Sequence, residues 1–178
     1  MNQKILVIAY GNRDRQDDGA GWHILAKTTR RLDLVPPENP GDWVESVDGK
    51  TRWLYLYQLL PEMAEDLTAY QRVIFIDAHN SPELPDVIFK PVLPVWEQSG
   101  FTHHMSAEGF LSIAQTLFGT YPQANMLSVR GFSFEFEHEL SHKTAVLVDQ
   151  AVALLESELN LGKMPEIEPP LEGELPGS

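Results

Sequence analysis

The sequence predicts an α/β protein, with a twisted, mainly parallel sheet of about five strands and helices on both faces. Three observations carry that expectation. "ILVIAY" (5–10) and "RVIFIDA" (72–78) are apolar runs of strand length, the pattern of parallel strands covered on both sides. Segments with apolar residues at helical spacing follow them, some opened by a capping residue and closed by glycine. Strands and helices that alternate over this length build a layered sheet, because each crossover returns the chain to a parallel neighbour.

The elements follow in order. Gly11-Asn12 ends the first strand, and a helix begins near Gly19, with Trp22, Leu25, Ala26, Thr29 and Leu32 along one stripe. "LVPPENPGDW" (34–43) is a proline-rich connection. "WVESV" (43–47) reads as a second strand, whereas "DGKTRWLYLYQ" (48–58) matches no single period. Pro61 suits the first turn of a helix through "PEMAEDLTAY". "DVIFKPVL" (86–93) is a further strand whose Pro91 belongs at a sheet edge. In "SAEGFLSIAQTLFG" (106–119), Ser106 caps a helix that Gly119 stops. "NMLSVRGFSFEF" (125–136) is the last strand, and the alternation of Phe132, Phe134 and Phe136 with polar residues predicts one solvated face. Ser141 opens a final helix carrying Ala145, Val148, Ala151, Val152 and Leu155. Residues 1–161 therefore read as a single domain, and 162–178, rich in proline and glutamate, as a mobile acidic tail.

Composition narrows the function. The chain has 178 residues, 43% of them hydrophobic, which is enough for one packed core. A formal net charge of −13 argues against a nucleic-acid binder, which needs a basic face to displace counterions, and against attachment to anionic membranes. With no cysteine, disulfides, thiolate metal sites and cysteine nucleophiles are excluded. The start of the chain lacks the apolar core of a signal peptide, and no apolar run approaches the roughly 20 residues that span a bilayer. A cytoplasmic protein is expected.

In sheets of this kind, sites lie beyond the carboxyl ends of the strands. Asp17 and Asp18 follow the first strand, Asp77 ends the strand at 72–78, and His103 and His104 precede the helix at Ser106. Each has an ordinary explanation. An aspartate before a helix is more often a cap than a ligand, and two adjacent histidines are by themselves loop residues. Asp77 is harder to dismiss, because a charge directly behind four apolar strand residues must be paired, hydrogen-bonded or bound to a metal. Glu135, Glu137 and Glu139 read as a solvated face.

Two carboxylates and an imidazole together form an O,O,N set, which suits nickel or zinc better than magnesium. A histidine at a helix start is disfavoured as imidazolium, which leaves a ring nitrogen to ligate. A phosphate loop is the competing reading of "GNRDRQDDGAG" (11–21). It lacks the required lysine and glycine spacing, and it puts acids where a phosphate would sit.

At this point the sequence resembles the hydrogenase maturation endopeptidases, which process the large subunits of nickel-iron hydrogenases. "GNRDRQDDGAG" matches that family's G-N-x(4)-D-[DE]-G loop, and "VIFIDA" its strand ending in Asp-Ala. "THHMSAEGFL" matches its His-x-[LM]-[SG] helix start, and "VRGFSFEFEHELS" its late Gly-x-x-Phe-Glu…Leu-Ser segment. The likeness runs over most of residues 4 to 158 and rests on the order and spacing of these motifs together.

The resemblance implies an endopeptidase that cuts a C-terminal peptide from a [NiFe]-hydrogenase large-subunit precursor once nickel has been inserted. It implies Asp18, Asp77 and His103 as the catalytic and metal-contacting residues, with nickel supplied by the precursor. His104 then falls on the variable position, and Asp17 caps the helix or holds the loop. Many relatives carry Glu where this chain has Asp18, and the stretch from Asp48 to Gln58 looks longer than theirs, as a substrate-facing insertion would. No Ser–His or Cys–His nucleophile pair is evident in the sequence. A non-catalytic nickel chaperone and a metal-dependent hydrolase of a small molecule are the alternatives from other classes.

Overall fold

The computed structural model describes residues 4–96 and 104–161. His103 and the tail at 162–178 lie outside them. One mixed sheet contains β1 (Ile5–Tyr10), β2 (Trp43–Glu45), β3 (Thr51–Leu56), β4 (Arg72–His79), β5 (Val87–Val92) and β6 (Gln123–Arg130). Their spatial order is β2-β3-β1-β4-β6-β5. The four inner strands run parallel, and β2 and β5 are antiparallel edges. Helices α1 (Ala20–Arg31), α2 (Ala107–Phe118) and α3 (His142–Glu158) cover the sheet, with 3-10 segments at Gln16–Gly19 and Pro61–Ala69.

The period of two along each strand sorts the core into two layers. Leu6, Ile8 and Tyr10 of β1 pack with Phe75 toward α2 and the 61–69 segment. Val7 and Ala9 pack with Ile74, Ile76 and Leu127 toward α1 and α3. This is the α/β sheet with helices on both faces that the sequence predicts. Pro91 sits on edge strand β5, where a missing N–H costs the ladder least. Ser106 Oγ accepts the Gly109 N–H at 3.0 Å, and Gly119 ends α2 in the left-handed conformation with φ 72°. Ser141 caps α3 in the same way. The segment after Pro61 is a 3-10 helix of nine residues, not an α-helix.

Two expectations need correction. The unassigned stretch at 48–58 is no surface insertion. Its residues 51–56 form β3, a parallel inner strand beside β1, with Trp53 and Tyr55 shielded from solvent. Polar Thr51 and Arg52 and the turn at Gly49 obscured a run that is otherwise rich in strand-forming aromatics. The sixth strand comes from this region. In contrast, the last strand stops at Arg130, short of the alternating phenylalanines. Phe136 is 87% exposed, and residues 131–141 are a loop that runs back across the start of α1. Among the described residues no helix is long and apolar enough to cross a membrane.

Candidate functional site

From β1 the chain crosses to β3 on one side of the sheet, and from β4 it leads to β5 and β6 on the other. The topological switch point therefore lies between the carboxyl ends of β1 and β4, where such sheets open a crevice. Two glycines bring the following loop down onto that crevice. Gly11 has φ 132°, and a Cβ there would strike the Asp18 carbonyl. A Cβ on Gly21 would sit 2.8 Å from the Ile76 carbonyl oxygen and 3.1 Å from that of Tyr10. Helix α1 thus starts hard against the ends of both strands, and the turn before it carries Asp18 toward Asp77.

The cleft, about 440 Å³, is lined by Tyr10, Asp18, Asp77, His104, Ser106 and Glu108, among others. Asp18 Oδ2 accepts the Asn12 N–H at 2.8 Å, and Asp77 Oδ1 accepts the Ala78 N–H at 2.7 Å. Burial is the main force on Asp77 and pushes its pKa up to about 8. The Ala78 N–H works against that rise, the charge of Asp18 adds to it, and the nearby Tyr10 hydroxyl opposes it. Burial also raises the Tyr10 phenol well above its ordinary range, helped by the charges of Asp77 and Glu108. A second cleft of about 660 Å³ adjoins the first through Asp18, Tyr57, Gln58 and His104, with Leu56, Leu60 and Met63 on its walls.

Asp17 turns away from this cleft and is completely shielded. It does not cap α1, whose N-cap position is Gly19. Its carboxylate instead accepts the backbone N–H groups of Phe132, Ser133 and Ser141 at 2.8, 2.9 and 2.8 Å. The Ser141 and Thr144 hydroxyls add bonds of 2.7 and 2.8 Å. Burial alone would raise the Asp17 pKa, but these donors outweigh it and hold the carboxyl below its usual range. Asp17 therefore ties the turn that bears Asp18 to the loop after β6 and to the start of α3.

Of the three site residues expected from the sequence, Asp18 and Asp77 line one cleft and His103 lies outside the described residues. Its neighbour His104 stands on the cleft wall. Glu135, Glu137 and Glu139 are exposed, as read. Among the described residues no three histidines or carboxylates come together as a metal cluster. The chemistry of Asp18 and Asp77 fits a divalent cation: the Asp18 charge helps to keep Asp77 protonated, and a cation bound between them would favour ionisation of both.

Two features depend on contacts between strands that are far apart in the chain. Tyr10 reads as one more apolar strand residue, and only the register of β1 beside β4 puts it next to Asp77. A Ser–His pair does exist, with Ser128 Oγ 2.8 Å from His79 Nδ1 across β6 and β4. Neither residue lines the cleft, and Arg130 and Asp86 are the charges that act on that imidazole. The pair bridges two inner strands and is no part of the cleft lining.

No protein-family model matches the chain, and no curated protein sequence is similar to it. Solved structures are. The [NiFe] hydrogenase maturation protease HycI from Thermococcus kodakarensis KOD1 aligns with TM-score 0.62 and 16% identity, over 89% of this chain and 93% of its own. The hydrogenase maturating endopeptidase HybD from E. coli aligns with TM-score 0.64 and 16% identity over the same shares. The hydrogenase 2 maturation peptidase from Thaumarchaeota archaeon SCGC_AB-539-E09 gives TM-score 0.55 and 22% identity, over 89% and 99% of the two chains. At such identities the likeness establishes a shared fold.

Proposed function

We propose that this protein is a cytoplasmic endopeptidase that removes the C-terminal extension of a [NiFe]-hydrogenase large-subunit precursor after nickel insertion. One observation carries the reading: Asp18, in the 3-10 turn before α1, and Asp77, at the end of β4, line a single cleft at the switch point of the sheet. The fold shared with solved hydrogenase maturation proteases and the motif resemblance support it. Nickel enters as part of the precursor. Asp18 and Asp77 supply oxygen ligands to it and His103 supplies nitrogen, which docks the cleavage region of the precursor in the cleft. Asp77 gives up its proton as the cation arrives, because the positive charge reverses the penalty of ionising beside Asp18. Water is the nucleophile in this scheme, since the Ser128–His79 pair lies away from the cleft. The adjoining cleft, about 660 Å³ with Leu56, Leu60 and Met63 on its walls, offers space for side chains of the precursor.

Incubation of the protein with nickel-loaded and nickel-free precursor, followed by mass spectrometry of the C-terminus, tests the reading. Cleavage of the loaded form alone is expected, as is loss of cleavage in Asp77→Asn and His103→Ala. Equal cleavage of both forms, or activity retained in both variants, overturns it. Nickel transfer without cleavage would identify a chaperone instead.

A further inference from the structure

We propose that Tyr55 is a positioning residue for the carboxylate of Asp18, acting through the peptide that joins Gly11 to Asn12. The Tyr55 hydroxyl donates to the Gly11 carbonyl oxygen at 3.1 Å. On the other side of the same peptide, the Asn12 N–H donates to Asp18 Oδ2 at 2.8 Å. In a trans peptide the C=O and N–H bonds point in opposite directions, so a fixed carbonyl aims the N–H. Hydrogen bonds in series also polarise one another, which makes the Asn12 N–H a better donor. The inference rests on the reading of Asp18 as a metal-contacting residue.

The peptide needs such a hold because it follows a glycine. Gly11 has no side chain to restrict its torsions, and rotation there would turn the peptide over and withdraw the N–H from Asp18. The anchor itself is rigid. Tyr55 pairs with Ala9 in the β1–β3 ladder, two residues before Gly11, and its ring packs with Trp22 and Ala26 of α1. The Tyr55 N–H donates to the Asp42 carbonyl at 3.1 Å, and the Tyr55 carbonyl accepts the Gly41 N–H at 2.7 Å. Burial pushes the phenol up to about 12, so it remains a donor at neutral pH. Phenylalanine would fill the same space, and the one thing it would lack is the bond to Gly11. Outer hydrogen bonds that orient a ligating group typically contribute roughly 10- to 100-fold to metal affinity.

Two measurements on the purified full-length protein test this. In isotope-labelled wild type, NMR should detect a scalar coupling from the Asn12 amide nitrogen to the side-chain carboxyl carbon of Asp18. Its absence overturns the inference whether or not any variant folds. In Tyr55→Phe that coupling should vanish and the Asn12 proton move upfield while amide signals remote from the turn stay in place. Co(II) titrated alone, read by calorimetry and visible d–d absorption, should bind Tyr55→Phe about 10-fold more weakly than wild type. Tyr121→Phe, which lines neither cleft, should change neither readout. A preserved Asn12 coupling in Tyr55→Phe, Co(II) affinity within about twofold of wild type, or a wild type that takes up no Co(II) each overturns the inference. The two readings fail separately. If Asp77→Asn and His103→Ala still process nickel-loaded precursor, the proposed function falls, and the Asn12 coupling still reports on Tyr55. If both lose processing while Tyr55→Phe keeps its coupling and affinity, only the role of Tyr55 falls.

Discussion

Asp17 and Asp77 are both withdrawn from water, yet their carboxyl groups are shifted in opposite directions. Asp17 accepts from three backbone N–H groups and two hydroxyls, and stays ionised more readily than a free aspartate. Asp77 accepts the Ala78 N–H and has a second acid nearby, and it holds its proton up to about pH 8. Burial is common to the two; the number of donors and the neighbouring charge decide the outcome. Asp17 is a finished structural joint. Asp77 is a site under electrostatic tension, which a cation would relieve.

The contrast can be broken most directly at Asp77. Its folded pKa of about 8 lies above the ordinary 3.8, so between those values the native state keeps a proton that the unfolded chain has released. Stability should therefore fall as pH rises through that window, by up to about 6 kcal/mol at ~1.4 kcal/mol per pKa unit. Asp77→Asn should flatten that slope in urea titrations run from pH 4 to 8. Equal slopes in variant and wild type would show that Asp77 is not strained.

Asp17 should behave in the opposite sense. Asp17→Ala leaves three backbone donors buried without an acceptor and should cost about 3–5 kcal/mol at pH 7 by chemical denaturation. Because its folded pKa is lowered, its contribution is present above the ordinary value of 3.8 and is lost as pH falls through the folded one. The variant should therefore lose less than wild type at the acid end. A cost under about 1 kcal/mol would refute the role of Asp17 as a joint.

The smallest effect is expected between the two regions. Gly21→Ala puts a methyl 2.8 Å from the Ile76 carbonyl oxygen, which should cost about 1–3 kcal/mol through overpacking. It should also push α1 off the strand ends, separating Asp18 from Asp77 and weakening Co(II) binding more than this modest loss of stability would lead one to expect. Unchanged Co(II) affinity in a destabilised Gly21→Ala would show that the start of α1 does not set the spacing of the pair.

Much of this was legible in the chain itself. The runs at 5–10 and 72–78, Ser106, Gly119, Ser141 and the edge proline all act within a few residues, and each appears where its local chemistry predicts. The acids Asp18 and Asp77 could be placed at one edge from strand direction alone. Strand β3 was missed because its polar start broke the apolar pattern, and the phenylalanine alternation at 132–136 was mistaken for a strand because exposed loops can alternate too.

By itself, then, the sequence determined the layers, the helix ends and which carboxylates sit at the carboxyl edge, since periodicity, capping and strand direction are local properties. Only the tertiary structure decided which aspartate is a joint and which faces the cleft. The donors of Asp17 come from residues 115 to 127 positions further along the chain, and the charge that acts on Asp77 comes from the turn after another strand. A carboxylate's fate depends on the dipoles and charges that folding gathers around it, and no sequence window contains them.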